Sequence, residues 1–539
     1  MTEENRNLQR QGEATGEAGA PSLASQGAVV SGMTMLSRIS GLIRDVFFAY
    51  LLGASQFADM FLVAFRIPNF FRRMFAEGAF NQAFVPVMTR YRLQGQAALL
   101  TFLSPLVGLF STSLVLFVSL GLVFVDELTF IFAFGFADHP GRLEQTADLV
   151  VLTLPYLAFI SLTAYAGALL NAHGRFAVPA FTPVLLNLVL ICAALASLSG
   201  SLGLLHVEVL AWGVLVAGLV QFLFQLPSLG RLGLIVRPNL DYRHPGIGRL
   251  GKLLLPALFA SSVSQINALI STMLASTLIT GSISWLYYAD RLLELPIGLV
   301  AIALSTVMLP HLSRLAATSN NSAFKQTLGW GINLGFMLGL PAAAALYLLA
   351  EGLIATLFLT IGGSAMTVHD ARMASYALEL FAVALPGFVL VRVLSPAFYA
   401  HEDTQTPFRY AAVAVLANIV AALATFSWFG HVGLAWATAI SAWVNVVLLY
   451  RGLTQRGWFS LDASLWRLFW RVVVASSVLV LALLTWAVPL PWFDMSGLER
   501  VVTMTIVAGG GVLGYGLLLF VLGVRRADLR HDSVVSQAD

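Results

Sequence analysis

A single cysteine, Cys192, stands in 539 residues, so no internal disulfide can form and no thiolate metal cluster can be assembled. Charge is scarce too. Asp, Glu, Lys and Arg make up 11% of the chain against 58% hydrophobic residues, and the mean hydropathy of +0.83 excludes an ordinary soluble globular protein. Catalytic and metal signatures are missing: the histidines are scattered, no HExxH or paired-carboxylate motif occurs, and His401-Glu402-Asp403 reads as a solvated loop. Gly246 to Lys252 imitates a P-loop, but Leu253 stands where Ser or Thr is required and no strand precedes it. These absences predict a chain that is not an enzyme, with no cofactor, no metal site and no nucleic-acid partner.

What the chain has instead is apolar runs of about 20 residues, the length an α-helix needs to cross a bilayer. About fourteen occur, centred near Ile39, Val63, Leu114, Leu157, Val189, Val216, Phe259, Leu299, Gly339, Leu385, Leu416, Ile440, Val478 and Gly511. The expected fold is an all-α polytopic membrane protein. Lys and Arg gather in alternate connections, among them Arg90 and Arg92, the group from Arg231 to Lys252, and the tail with Arg525, Arg526 and Arg530, while the intervening connections are nearly bare. That bias predicts cytoplasmic termini. The first 27 residues are polar and lack an apolar segment with a cleavage site, so a disordered tail is expected and not a signal peptide.

A weak repeat organises the spans. Pro86-Val87-Met88-Thr89-Arg90 resembles Pro310-His311-Leu312-Ser313-Arg314, and Ala172-His173 with Pro179 resembles Ala400-His401 with Pro407, at nearly one offset of about 224 residues. Six helices between matching segments preserve orientation. The reading is a tail (1–27), a six-helix N-lobe (28–228), a six-helix C-lobe entered by a basic cytoplasmic loop (229–455), two further helices (456–526) and a second cytoplasmic tail (527–539). Parallel halves of this kind hold a substrate between them near the bilayer midplane.

The charges inside the spans carry the functional signal. Arg38, Arg44 and Asp45 interrupt the first span, Asp59, Arg66, Arg72 and Arg73 the second, and Asp290, Arg291 and Glu294 follow Tyr287 in the eighth. An arginine at a helix centre costs roughly 2.5–3.5 kcal/mol on insertion scales, so these side chains must face a polar interior. Structural ion pairs and snorkelling ends explain some of them, and Arg66 and Arg73 suit that reading best. Basic residues outnumber acids in the first two spans, so internal pairing leaves positive charge over. An anion would complete it, and the planar, permanently charged fork of arginine suits phosphate.

Ser37-Arg38-Ile39-Ser40-Gly41-Leu42-Ile43-Arg44-Asp45, Phe65-Arg66-Ile67-Pro68-Asn69 with Arg72-Arg73-Met74-Phe75-Ala76-Glu77-Gly78-Ala79-Phe80, and Trp285-Leu286-Tyr287-Tyr288-Ala289-Asp290-Arg291-Leu292 resemble the hallmark segments of the MurJ (MviN) family of lipid II flippases. The similarity runs from about Gly27 to Arg526. It implies the multidrug/oligosaccharidyl-lipid/polysaccharide exporter superfamily, fourteen helices in two lobes around a central cationic cavity, and a lipid-facing groove formed by the last two helices. It also implies that Arg44, Asp45, Arg72 and Arg291 contact a substrate head group. Arg38, Asp59 and Glu77 match positions implied to serve gating or lobe pairing, beside the structural charges Arg66, Asp290 and Glu294.

The implied substrate is lipid II, undecaprenyl-pyrophosphoryl-disaccharide-pentapeptide, moved to the periplasmic leaflet of the bacterial inner membrane by alternating access without ATP. Other expected partners are the surrounding membrane lipids, with cell-wall synthesis machinery as a further candidate. The energy would come from an ion gradient or from the membrane potential, worth about 2.3 kcal/mol per charge per 100 mV. Some relatives hold sodium with acids on spans seven and eleven, whereas Gly251 to Leu278 and Phe408 to Trp428 contain none and Asn267 and Asn418 are weak substitutes. The coupling ion therefore stays open. The alternative is a drug exporter, or an exporter of another polyprenyl-linked glycan, of the same superfamily; a drug or cation exporter would want acids or an apolar aromatic pocket where this chain places arginine.

Overall fold

The computed structural model describes residues 23–74, 80–200, 203–460 and 463–525, and every regular element among them is helical. The first group comprises α1 (Leu23–Leu52), α2 (Gln56–Arg72), α3 (Phe80–Leu93), α4 (Gln96–Val123), α5 (Val125–Ala133), α6 (Arg142–Thr153), α7 (Tyr156–Ala172), α8 (Ala177–Leu198) and α9 (His206–Arg231). A second group follows with α10 (Pro245–Ser276), α11 (Ser282–Pro296), α12 (Ile302–Ala317), α13 (Asn321–Leu348), α14 (Ala350–Phe358), α15 (Val368–Tyr399), α16 (Gln405–Phe429) and α17 (His431–Gln455). The last helices are α18 (Ala463–Trp486) and α19 (Gly497–Val521).

Local sequence marks the boundaries. Ser55 caps α2 by accepting from the Ala58 amide, and Thr367 with Asp370, and Ser496 with Glu499, form reciprocal capping boxes at α15 and α19. The segment resembling a P-loop forms the first turns of α10 behind a His244 cap and Pro245. Its glycine Gly246 lies under Phe102, where a Cβ would come within 2.5 Å of the ring, so packing explains it.

Among the described residues ten helical stretches are long and apolar enough to cross a membrane, one of them α6 and α7 taken together. The remaining runs of the expected fourteen fall on α1, α2 with α3, α10, and α11 with α12. Three of these places carry the intramembrane charges, and two are broken. The second span ends in a π-type turn at Arg73–Met74 past Pro68, and a π-helical segment, Ile297–Ala301, separates α11 from α12 directly after Pro296. The two breaks occupy corresponding places in the repeat, since α3 carries Pro86 to Arg90 and α12 carries Pro310 to Arg314. The second repeated pair behaves alike. His173 Nδ1 donates to the Leu169 carbonyl at 2.8 Å and His401 Nδ1 to that of Ala397 at 3.0 Å, each closing its helix.

In the first group α1 packs on α8, α8 on α9, α9 on α7 and α2 on α6; in the second α16 packs on α17, α17 on α15 and α15 on α13. α18 lies along α13, and α19 touches α18 and α14. The outer face of α19 is apolar and uncovered from Ile506 to Val521, and Cys192 is exposed on α8, as suits lipid-facing positions. His401 is more ordered than a solvated loop requires: its ring stacks on Trp458 at 3.8 Å, while Arg456 pairs with Asp403 at 3.0 Å. Slight desolvation pushes the Asp403 carboxyl up, but hydrogen bonds from Thr406 and the Arg456 charge outweigh it and hold the group below its ordinary value. Among the described residues no cluster of three or more metal-ligating side chains occurs.

Candidate anion-binding cavity

α1 brings Arg44 and Asp45 to the junction of α8 and α11. Asp45 is fully buried, and its Oδ1 accepts from Arg44 Nε at 2.9 Å, Arg44 Nη2 at 2.7 Å and Tyr287 Oη at 2.8 Å. Arg44 Nη1 donates to Asn187 Oδ1 at 2.9 Å, and the Asn187 amide donates to the Ser37 carbonyl at 2.9 Å and to Ser40 Oγ at 3.0 Å. The guanidinium also faces Phe48 and Phe65, 5.3 and 5.9 Å from the ring centroids. Nearly all its donors are engaged inside the protein.

Arg291 is placed differently. It reaches from α11 over the Tyr287 ring and donates Nη1 to Glu294 Oε2 at 2.8 Å, with its side chain 26% exposed. Its Nε lies 3.8 Å from Asp45 Oδ2, and neither atom has a hydrogen-bond partner among the described residues. The least satisfied charge at the junction thus belongs to Arg291. From α2, Arg66 donates to Thr272 Oγ1 of α10, and Arg72 Nε donates to Asn69 Oδ1 at 3.1 Å.

These side chains line a cavity of about 350 Å³ bounded by Arg44, Arg66, Arg72, Arg73 and Arg291, with Asp290 and Glu294 as its acids and Phe70 and Phe132 on its apolar wall. Counting Asp45, which neutralises Arg44 from behind, five guanidiniums face three carboxylates among the described residues. An adjoining chamber of about 290 Å³ shares Arg44, Arg72 and Arg291 and extends to Arg38. Arg38 Nη1 donates to the Glu294 carbonyl at 2.7 Å. The guanidinium lies against the π-helical segment, where a Cβ on Gly298 would come within 2.1 Å of Arg38 Cζ, so only glycine admits this approach.

The structure therefore brings Arg44, Asp45, Arg66, Arg72, Asp290, Arg291 and Glu294 together and sets Arg38 at the rim. Asp59 lies elsewhere, at the start of α2. Its Oδ2 accepts from the Gly281 amide at 2.7 Å and Arg142 Nη2 at 3.1 Å, and its Oδ1 accepts from the Ser284 amide at 3.0 Å and Ser284 Oγ at 2.7 Å. It thus caps α11 from another helix, a carboxylate at a positive helix end. Nearby, Tyr288 Oη donates to the Gly53 carbonyl at 2.8 Å. Glu77 lies outside the described residues.

Sequence reasoning missed Asn187, the role of Arg142 as partner of Asp59, and Gly298. A lone Asn in an apolar span was the available signal for the first. Replacing Asn187 by Ala strips the anchor from Arg44 and takes one of two side-chain donors from the Ser37 carbonyl; we expect a loss of about 1–3 kcal/mol, read as a lower midpoint in thermal unfolding of the purified protein. An unchanged midpoint would show that Arg44 is held without it.

Comparison with known proteins decides the family. The family model described as Lipid II flippase MurJ matches residues 48–503. The chain belongs to the MurJ family. Its relatives include a probable lipid II flippase MurJ of Vibrio cholerae, 44% identical over 94% of this chain and 98% of the relative, and the lipid II flippase MurJ of Burkholderia cenocepacia, 35% identical over 93% and 98%. Among solved structures, a lipid II flippase MurJ in an inward closed conformation aligns at a TM-score of 0.77 with 26% identity, covering 91% of this chain and 98% of that one. An inward-facing multidrug transporter of the MATE family and MOP superfamily shares the fold, at a TM-score of 0.62 and 16% identity over 85% and 99%. A MurJ-family chain of this kind is a transporter and not an enzyme, and it is a multi-pass protein of the inner membrane.

Proposed function

We propose that this MurJ-family chain moves lipid II from the cytoplasmic to the periplasmic leaflet, with the diphosphate held in the arginine cavity. The observation that carries the site assignment is the gathering of five guanidiniums around one cavity that holds fewer carboxylates among the described residues, the charge sign that an ionised diphosphate diester would complete. Arg291 and Arg72 make the direct contacts in this reading. Arg44 and Asp45 form the rigid floor that aims them, Arg66, Asp290 and Glu294 balance the cavity, and Arg38 and Asp59 hold the lobes (28–228 and 229–455) at opposite ends. Positive charge in alternate connections supports cytoplasmic termini and an even number of crossings, fourteen when the broken helices are joined.

A cavity of about 350 Å³ is at the small end for a drug-sized ligand, and a disaccharide-pentapeptide is larger than that. The lobes must therefore part further to admit the whole head group, which supports alternating access by rocking. The drug-exporter alternative fits poorly, because a net cationic cavity repels cations. The decisive test offers the purified protein lipid II and an analogue with an uncharged linker in place of the diphosphate. Binding read by native mass spectrometry should fall by about 100-fold for the analogue, which forgoes two charge-assisted hydrogen bonds. Equal binding would overturn the diphosphate site.

A further inference from the structure

The connection between α9 and α10 is not used by the transport reading, yet it is a built surface. Residues 234–241 form no regular element, and burial alternates at their start: Leu234 and Val236 pack into the core beside α3, α4 and α7, while Ile235 (61% exposed) and Arg237 are exposed. Two hydrogen bonds pin this strap to α4, from the Asn239 amide to the Ser104 carbonyl at 3.1 Å and from Ser104 Oγ to the Arg237 carbonyl at 2.7 Å. The approach is closest at Gly108, where a Cβ would come within 2.0 Å of the Asn239 carbonyl oxygen.

That attachment fixes the depth of the strap. α4 is uncharged from Gln96 to Val123, about 42 Å at 1.5 Å per residue, and the run of about 20 residues that the roughly 30 Å hydrocarbon core takes up, counted back from Val123, begins near Ser104. The strap crosses α4 where this run begins, at headgroup level. Here Ile235, Leu240 (61%) and Tyr242 (66%) are exposed, and Arg231, Arg237, Arg243, Arg249 and Lys252 stand against one acid, Asp241. Among the described residues none of these five cations has an ion pair. Arg243 lies over the Tyr242 ring at 5.6 Å.

We infer that the strap is a binding site for the headgroup of an anionic glycerophospholipid, with Arg237 and Arg243 on the phosphate and Ile235, Leu240 and Tyr242 dipping into the acyl boundary. Charge complementarity selects an anionic headgroup over a zwitterionic one, and exposed apolar side chains beside the cations select a lipid over a soluble anion.

The test uses the full chain in nanodiscs of phosphatidylcholine containing about 30% phosphatidylglycerol or none, with lipid retained on the protein counted by native mass spectrometry. Wild type should retain phosphatidylglycerol preferentially. Arg237→Gln with Arg243→Gln should lower that retention about tenfold, and Arg409→Gln, an exposed basic residue in the first turns of α16, should leave it unchanged. Gly108→Ala keeps every charge but displaces the strap, and retention should fall with it. Equal retention in the double variant, an equal drop with Arg409→Gln, or full retention in Gly108→Ala would each overturn a placed lipid site.

Discussion

Alanine at Arg291 abolishes transport while the protein stays folded. The side chain is partly exposed, its Glu294 pair is of the kind worth about 0–1 kcal/mol, and its approach to Asp45 is not a hydrogen bond. Removing it costs little stability but takes away the fork best placed for a diphosphate. Without its two charge-assisted hydrogen bonds, transport should slow by at least about 100-fold, and lysine recovers only part because it lacks the bidentate geometry. Arg44→Ala contrasts with it. That change strands the fully buried Asp45, a loss of about 3–5 kcal/mol against a total stability of about 5–15, so membrane abundance falls along with transport. Adding Asp45→Asn should restore abundance without restoring transport. Immunoblotting beside a transport assay separates the outcomes; equal abundance of both single variants would contradict the division into floor and binder.

Asparagine at Asp59 should unlatch the end of the molecule remote from Arg38. The carboxylate accepts from four donors, and an amide must turn its NH2 toward Gly281 and Arg142 or toward Ser284. A donor facing donors, with Arg142 left buried, costs about 3 kcal/mol, enough to shift a two-state equilibrium by about 100-fold. Spin labels at Val123 on α4 and Trp428 on α16, with Cys192 replaced by Ser, report that end of the two bundles. We expect a longer distance and no transport in Asp59→Asn. The wild-type distance with transport intact would remove the latch from the mechanism.

The apolar runs at Leu114, Val216 and Leu385 needed only length and hydropathy to be read as spans, and charge inside a span marked α1, α2 and α11 as the cavity walls. The rest depended on tertiary packing. Arg142 reads in the sequence as one more charge between spans, and only folding brings it to Asp59. Asn187 announces itself only as a lone polar residue in an apolar span, and its meeting with Arg44, 143 positions away, comes from folding alone. The break at Ile297–Ala301 is foreshadowed by Pro296, yet the glycine that lets Arg38 rest on it becomes meaningful only once the two helices meet. The paired segments around His173 and His401 share a local bond as well as sequence, each ring donating to the carbonyl four residues before it.

The central claim is that a cationic cavity carries lipid II across the membrane. Lipid II exposed on the outer face, read by an externally added lipid II-cleaving toxin in cells depleted of their own flippase, tests it most directly. Wild type and Arg291→Ala are compared at matched membrane abundance. The account predicts restored cleavage with wild type and none with Arg291→Ala; cleavage by both would contradict the cationic site, and absence of cleavage with well-inserted wild type would contradict lipid II transport itself.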